Sequence, residues 1–188
     1  ATSSDPELRW RAAWSLGPVS DPDRTRLILT LANDPSGEVR YLATRHLAWN
    51  TDDSLSPKPE QTRELLVRAL NDPDRRVRTE AIRALGSHKD SVTLGHIVAL
   101  LDDRDAWITA AAVEALISRR DSSETTVAAL VRATGSSRPL ALRASALSAL
   151  REIGAVTRRA ALAPALEMAR DRSITARLEA VRVLSSRG

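Results

Sequence analysis

The stretch Asn71-Asp72-Pro73-Asp74-Arg75-Arg76-Val77-Arg78-Thr79-Glu80-Ala81-Ile82-Arg83-Ala84-Leu85 decides the fold. Its first part is turn chemistry: Asp-Pro stops one helix, and an aspartate ahead of a helical run caps the next. Its second part spaces Val77, Ala81 and Leu85 four residues apart. Around a helix these fall within about 80° of one another and form one apolar stripe, with Arg78 beside its first member.

The same template, apolar residue, Arg at +1, Ala at +4 and Leu at +8, recurs along the chain. The sets are Leu8/Arg9/Ala12/Leu16, Val39/Arg40/Ala43/Leu47, Val77/Arg78/Ala81/Leu85, Ile108/Thr109/Ala112/Leu116, Leu142/Arg143/Ala146/Leu150 and Ala176/Arg177/Ala180/Leu184. Their starts lie 31, 38, 31, 34 and 34 residues apart. From the second set onward each stripe follows another apolar segment, namely Leu27 to Leu31, Leu65 to Leu70, Ile97 to Leu101, Val127 to Val131 and Leu162 to Met168. One repeat is therefore a pair of helices. Asp34, Asp72, Asp103 and Asp171 each stand five residues before position zero, in the turn within the pair. The long spacing carries seven extra residues in Asn50 to Pro59, rich in Asp, Ser and Pro, which reads as a surface loop.

Helix pairs of this length, with an Asp turn followed by Val-Arg-x-x-Ala-x-x-x-Leu, resemble HEAT repeats, in the short form also found in phycobilisome lyases. The resemblance implies an all-α fold: a right-handed α-solenoid of about five helix pairs plus an N-terminal half-repeat, with the second helices lining the concave face. The expected layout is one repeat domain over 1–188, with the half-repeat at 1–18 and repeats at 21–50, 59–87, 90–119, 122–154 and 156–188. The first stripe has no room before it for a first helix, which suggests a cap or a fragment of a longer array. Arg at +1 is expected to be structural and to face the turn Asp, and Thr109 is expected to interrupt any such ladder.

If offsets 0, +4 and +8 point inward, offsets −1, +2, +6 and +10 point outward. All five aromatic residues then map to the outward side: Trp10 and Tyr41 at +2, Trp14 at +6, Trp49 at +10 and Trp107 at −1. Arg45, Arg83 and Glu114 share that side at +6. An exposed aromatic row flanked by charge is the material of binding hot spots. Aligning the first half-repeat on Asp5-Pro6 instead moves Trp10 and Trp14 into the core offsets. The chosen register matches all four template positions and puts Gly17 where Gly86 follows Leu85. Trp49 and Trp107 have a packing role against neighbouring repeats as their alternative.

Composition narrows the function. With 43% hydrophobic residues, only 7 Gly and 9 Pro among 188 residues, the chain can bury a core. No stretch approaches the 18 or so uncharged apolar residues of a membrane span. The absence of Cys removes disulfides and thiolate chemistry. His46, His88 and His96 lack metal-ligand spacing, and there is no phosphate loop or nucleophile elbow. The acidic pairs Asp52-Asp53 and Asp102-Asp103 fall in loops or turns. No catalytic residue, metal or cofactor is expected, and cytoplasm is the default compartment.

Charge is uneven. Residues 1–118 hold 15 basic and 18 acidic side chains, and residues 119–188 hold 13 and 6. The expected activity is therefore a non-catalytic scaffold for a protein or peptide partner, with Trp10, Trp14, Tyr41, Trp49 and Trp107 as anchors and Arg45, Arg83 and Glu114 giving orientation. The alternative is nucleic-acid binding through Arg138, Arg151, Arg158, Arg159 and Arg182. A third reading follows a bacterial family of alkylpurine DNA glycosylases built from HEAT-like repeats, which this chain resembles in architecture. Its cleft Trp and carboxylate would correspond to Trp107 and Glu114, with Arg45 and Arg83 on phosphates. The chain shows none of that family's sequence motifs, and its aromatic half is too acidic for DNA.

Overall fold

The computed structural model describes residues 3–15, 22–49 and 59–185, and among them every regular element is helical. The expected Asn50 to Pro59 loop lies outside the described residues except for Pro59, which opens a helix. The chain divides into two compact units, residues 1–88 and 89–188. The first contains α1 (Pro6–Ser15), α2 (Pro22–Leu31), α3 (Gly37–Trp49), α4 (Pro59–Ala69) and α5 (Arg75–Leu85). The second contains α6 (Ser91–Ala99) with a 3₁₀ turn (Leu100–Asp102), α7 (Ala106–Arg119), α8 (Glu124–Ala133), α9 (Leu140–Ile153), α10 (Ala155–Ala160), α11 (Leu162–Met168) and α12 (Ile174–Ser185).

These are the expected five pairs and a half-repeat, with the first helix of the last pair split into α10 and α11. Pro164 explains the split: it has no N–H to give to the Ala160 carbonyl one turn back, so the helix breaks at Ala161 and Pro164 takes a place in the first turn of α11, where no such bond is needed. Elsewhere short acidic and hydroxyl side chains start the helices. Asp74 accepts from the Arg76 N–H, Asp90 from Thr93, and Ser123 from Thr126.

Second helices stack on one another, α3 on α1 and α5, and α9 on α7 and α12, while α3, α5, α7, α9 and α12 each rest on the first helix of their own pair. Alanine at +4 makes this possible. Ala43, Ala81, Ala112, Ala146 and Ala180 are all buried, and their lack of bulk lets neighbouring helices close on the larger Val39, Val77, Ile108, Leu142 and the +8 leucines. Burying one such leucine contributes roughly 2 kcal/mol. Among the described residues, two leucines of the stripes are exposed against expectation. Leu8 is 52% exposed and Leu184 is 39% exposed. Both lie on terminal second helices, α1 and α12, which have a described second helix on one side only.

The arginine at +1 welds the repeats. Arg40 Nη1 donates to the carbonyls of Asp34 and Pro35 in its own turn, while Nε and Nη2 grip both oxygens of Asp72 in the following turn at 2.7 and 2.8 Å. Arg9 repeats this, with Ser3 and Ser4 carbonyls behind and a fork onto buried Asp34 at 2.6 and 3.0 Å ahead. The register set on Leu8 is thus the one the structure follows, because Arg9 does what Arg40 does. In the second unit Arg143 reaches Asp171 at 2.7 Å and the Thr134 carbonyl at 3.2 Å. Each turn aspartate also accepts the N–H two residues on, Ser36, Asp74 and Ser173 at 2.8 Å. Burial opposes ionisation of Asp34 and Asp72, but the arginine forks and these N–H donors outweigh it and hold both below the ordinary carboxylate value.

Candidate functional site

None of the outward offsets −1, +2 and +6 holds a buried side chain among the described residues. In the first unit this face centres on Tyr41 of α3, which is half-buried. The guanidinium of Arg76, at the start of α5, lies over its ring with Cζ 5.6 Å from the centroid. Arg76 is itself fixed by Glu38 Oε2 at 2.6 Å and Asp74 Oδ2 at 2.8 Å. These carboxylates hold its pKa above the usual arginine value. Tyr41 is therefore covered on one face by an already paired cation. Arg83 is exposed and donates to Glu80 Oε2 at 2.9 Å, which gives the buried Glu80 carboxylate a partner; Arg45 is half-buried.

In the second unit the face is barer. Trp107 is 66% exposed on the first turn of α7, its backbone N–H held by Asp105 Oδ1 at 2.9 Å. Glu114 is exposed on the same stripe, about 10 Å further along the axis at 1.5 Å per residue. Exposed Ala110 lies between them, and the matching positions of α9 are small, Ala141, Ala144 and Ser148. Ala110 also lines a notch of about 100 Å³ with Thr109, Arg138, Pro139 and Ser145. The notch marks the interrupted rung. Thr109 replaces the arginine, Ser137 replaces the turn aspartate, and Arg138 pairs back to Asp102, so the charges have exchanged sides.

The side chains of Trp10, Trp14 and Trp49 lie outside the described residues. The remaining expected residues do not form one described site: Tyr41, Arg45 and Arg83 stand in the first unit and Trp107 and Glu114 in the second. The Trp107, Glu114, Arg45 and Arg83 set of the glycosylase reading is divided in the same way. Of the basic residues, Arg138, Arg151 and Arg182 are paired with Asp102, Glu152 and Glu179, and Arg158 donates to the Arg151 carbonyl. Arg76 and Glu38 were not among the expected residues. Both occupy offset −1 in successive repeats, and reading one offset across neighbours, rather than along one helix, would have exposed their opposite charges.

Among known families, the model for HEAT repeats matches residues 25–117. This stretch belongs to the HEAT-repeat family. The pairs outside it carry the same stripes, and solved structures similar to the whole chain are repeat proteins too. An engineered protein is 23% identical over 97% of this chain and 91% of its own, with a TM-score of 0.61. The structure of the CpcE and CpcF complex of phycocyanin lyase from Nostoc sp. PCC7120 is 20% identical over 89% of this chain and 65% of its own, with a TM-score of 0.60. A designed armadillo repeat protein in complex with the peptide (KR)4 is 16% identical over 97% and 94%, with a TM-score of 0.59. No curated protein matches the chain in sequence. No helix among the described residues is long and apolar enough to cross a membrane.

Proposed function

We propose that this HEAT-repeat chain is a non-catalytic scaffold that binds a protein or peptide segment on the outward face of its second helices. The observation that carries the reading is Trp107, a large apolar side chain left 66% exposed while the core is closed by Leu, Ile, Val and Ala. Exposed aromatics with a charged neighbour are what interfaces use as anchors. A basic side chain laid over the indole gains cation–π attraction, and a second one meets Glu114 two turns on. The basic (KR)4 peptide carried by a designed armadillo neighbour is of this kind. Tyr41, Arg45 and Arg83, with Trp10, Trp14 and Trp49, give the corresponding face of the first unit. Internal pairing of Arg138, Arg151 and Arg182 weakens the case for a nucleic-acid surface, since a paired guanidinium must give up its carboxylate before it takes a phosphate.

The test is differential capture. Wild-type chain and the Trp107→Ala/Glu114→Arg variant are immobilised and exposed to the same cell extract, and retained proteins are quantified. A protein retained by wild type and lost with the variant is the expected result. Identical retained sets contradict it. Salt-sensitive DNA binding that survives the double substitution and falls with the C-terminal arginines replaces it with the nucleic-acid reading.

A further inference from the structure

One turn of the second unit keeps the arginine cradle of the other repeats without an arginine of its own to fill it. In four repeats Nη1 of the arginine at +1 bridges two successive turn carbonyls at 2.7 to 3.3 Å. Arg9 takes those of Ser3 and Ser4, Arg40 those of Asp34 and Pro35, Arg78 those of Asp72 and Pro73, and Arg177 those of Asp171 and Arg172. The turn before α7 is built in the same way. Asp103 Oδ1 accepts the Asp105 N–H at 2.7 Å, as Asp34, Asp72 and Asp171 accept theirs, and Asp105 caps α7 as Asp74 caps α5. Its position +1, however, is Thr109, which turns to the Ala106 carbonyl. No donor among the described residues reaches the Asp103 or Arg104 carbonyl. Both residues line the notch of about 100 Å³ between α7 and α9, together with Thr109 and with Ser145, whose hydroxyl is likewise without a partner among the described residues. The notch has room for about three waters at roughly 30 Å³ each, which suits the three nitrogens of a guanidinium.

We propose that this notch takes the side chain of an arginine from a protein or peptide segment lying on the outward face, a refinement that rests on the scaffold reading above. The guanidinium does there what the chain's own arginines do elsewhere. One nitrogen bridges the Asp103 and Arg104 carbonyls, and the others meet the Thr109 and Ser145 hydroxyls. The approach is open: exposed Ala110 and Ala141, at +2 and −1 on the outward face, border the notch, and Ala110 stands three residues from Trp107. Charge favours a cation. Asp103 has no cation partner among the described residues, whereas Arg138 is engaged by Asp102. Arg104 on the rim is exposed, so solvent screens it. The notch is interior to the sequence, with helix pairs before and after it in the chain, so a repeat added at either end leaves it open.

The probes are the fluorescein-labelled peptide (KR)4 and octalysine of the same length and charge, each titrated by anisotropy into the full chain. The expected result is that (KR)4 binds about tenfold tighter, through the added charge-assisted hydrogen bonds. Thr109→Arg fills the cradle from within, and Ala110→Leu closes its mouth with no change of charge. Each should bring (KR)4 down to the affinity of octalysine. Thr109→Arg copies the sibling repeats and Ala110 is exposed, so both variants should keep the wild-type thermal midpoint or exceed it. Absence of (KR)4 binding, equal affinities for the two peptides, or a preference that survives Ala110→Leu overturns the proposal. So does competition by methylguanidine at the concentration at which the peptide half-saturates, because the notch then takes a small guanidine. Equal affinities that both fall on Trp107→Ala overturn the notch and leave the outward face standing. A (KR)4 preference lost on Ala110→Leu but indifferent to Trp107→Ala keeps the notch and overturns the aromatic anchor.

Discussion

The joint between α3 and α5 and the joint between α7 and α9 hold equivalent helices together with different chemistry. In the first, Arg40 closes a two-pronged fork on Asp72, with both side chains largely buried. In the second, buried Thr109 stands in place of the arginine and turns its hydroxyl back to the Ala106 carbonyl at 3.0 Å, Ser137 stands in place of the aspartate, and a more exposed pair, Arg138 with Asp102, runs the opposite way. Yet Ala112, Val113, Leu116, Ala146 and Leu150 are as buried as their counterparts around α3. The comparison teaches that apolar stripes build the joint and that the fork fixes its register. This agrees with the weak net contribution of buried ion pairs set against the high cost of breaking only one side of them.

Removing half of the fork is expected to have the largest effect. Arg40→Ala strands the Asp72 carboxylate and should cost about 3 kcal/mol in denaturant unfolding of the first unit. Replacing both partners, Arg40→Thr with Asp72→Ser, copies the other joint and should cost less than the single change; a larger cost breaks the comparison. Acid should act on the same groups. Asp34 and Asp72 have folded values below their unfolded ones, so their stabilisation is complete above the unfolded value near pH 4 and is lost as pH falls through the lower folded value. An unfolding midpoint that does not fall with pH in that window, or whose acid sensitivity persists unchanged in Arg40→Thr/Asp72→Ser, contradicts the assignment.

Smaller effects sharpen the contrast between tight and open packing. A Cβ built on Gly37 meets Asp74 Oδ2 at 2.6 Å, and that carboxylate is held by Arg76, so Gly37→Ala should destabilise by about 1 kcal/mol. Gly95 on α6 has nothing within 4 Å of the same position. Gly95→Ala should therefore raise the thermal midpoint, by about 0.5–1 kcal/mol of helix propensity. The smallest effect is expected for Arg138→Ala, within about 0.5 kcal/mol, because its ion pair is partly solvated.

Most of the architecture was legible because each repeat states the same pattern again, so an error in one is corrected by the next. Position +4 is alanine in all six sets, and the five described ones beyond the first are buried. Terminal positions were not legible in this way: Leu8 and Leu184 fit the stripe, but burial needs a neighbour on both sides, which spacing along one helix does not encode. The candidate face was half legible. Exposure of Trp107 and Glu114 follows from helical angle alone. The Arg76 cover over Tyr41, the Arg83 partner on Glu80 and the reversed Arg138 pair depend on which side chains meet across repeats, and the template, read one helix at a time, leaves those contacts out.

The central claim is that the outward aromatic face serves binding while the inward stripes and forks serve the fold, and Trp107→Ala tests it most directly when unfolding and partner capture are measured on the same variant. The account predicts a thermal midpoint within a degree or two of wild type and loss of the captured partner. A midpoint lowered by many degrees, or an unchanged partner on the variant, would show that Trp107 is a packing residue and that the face has been misassigned.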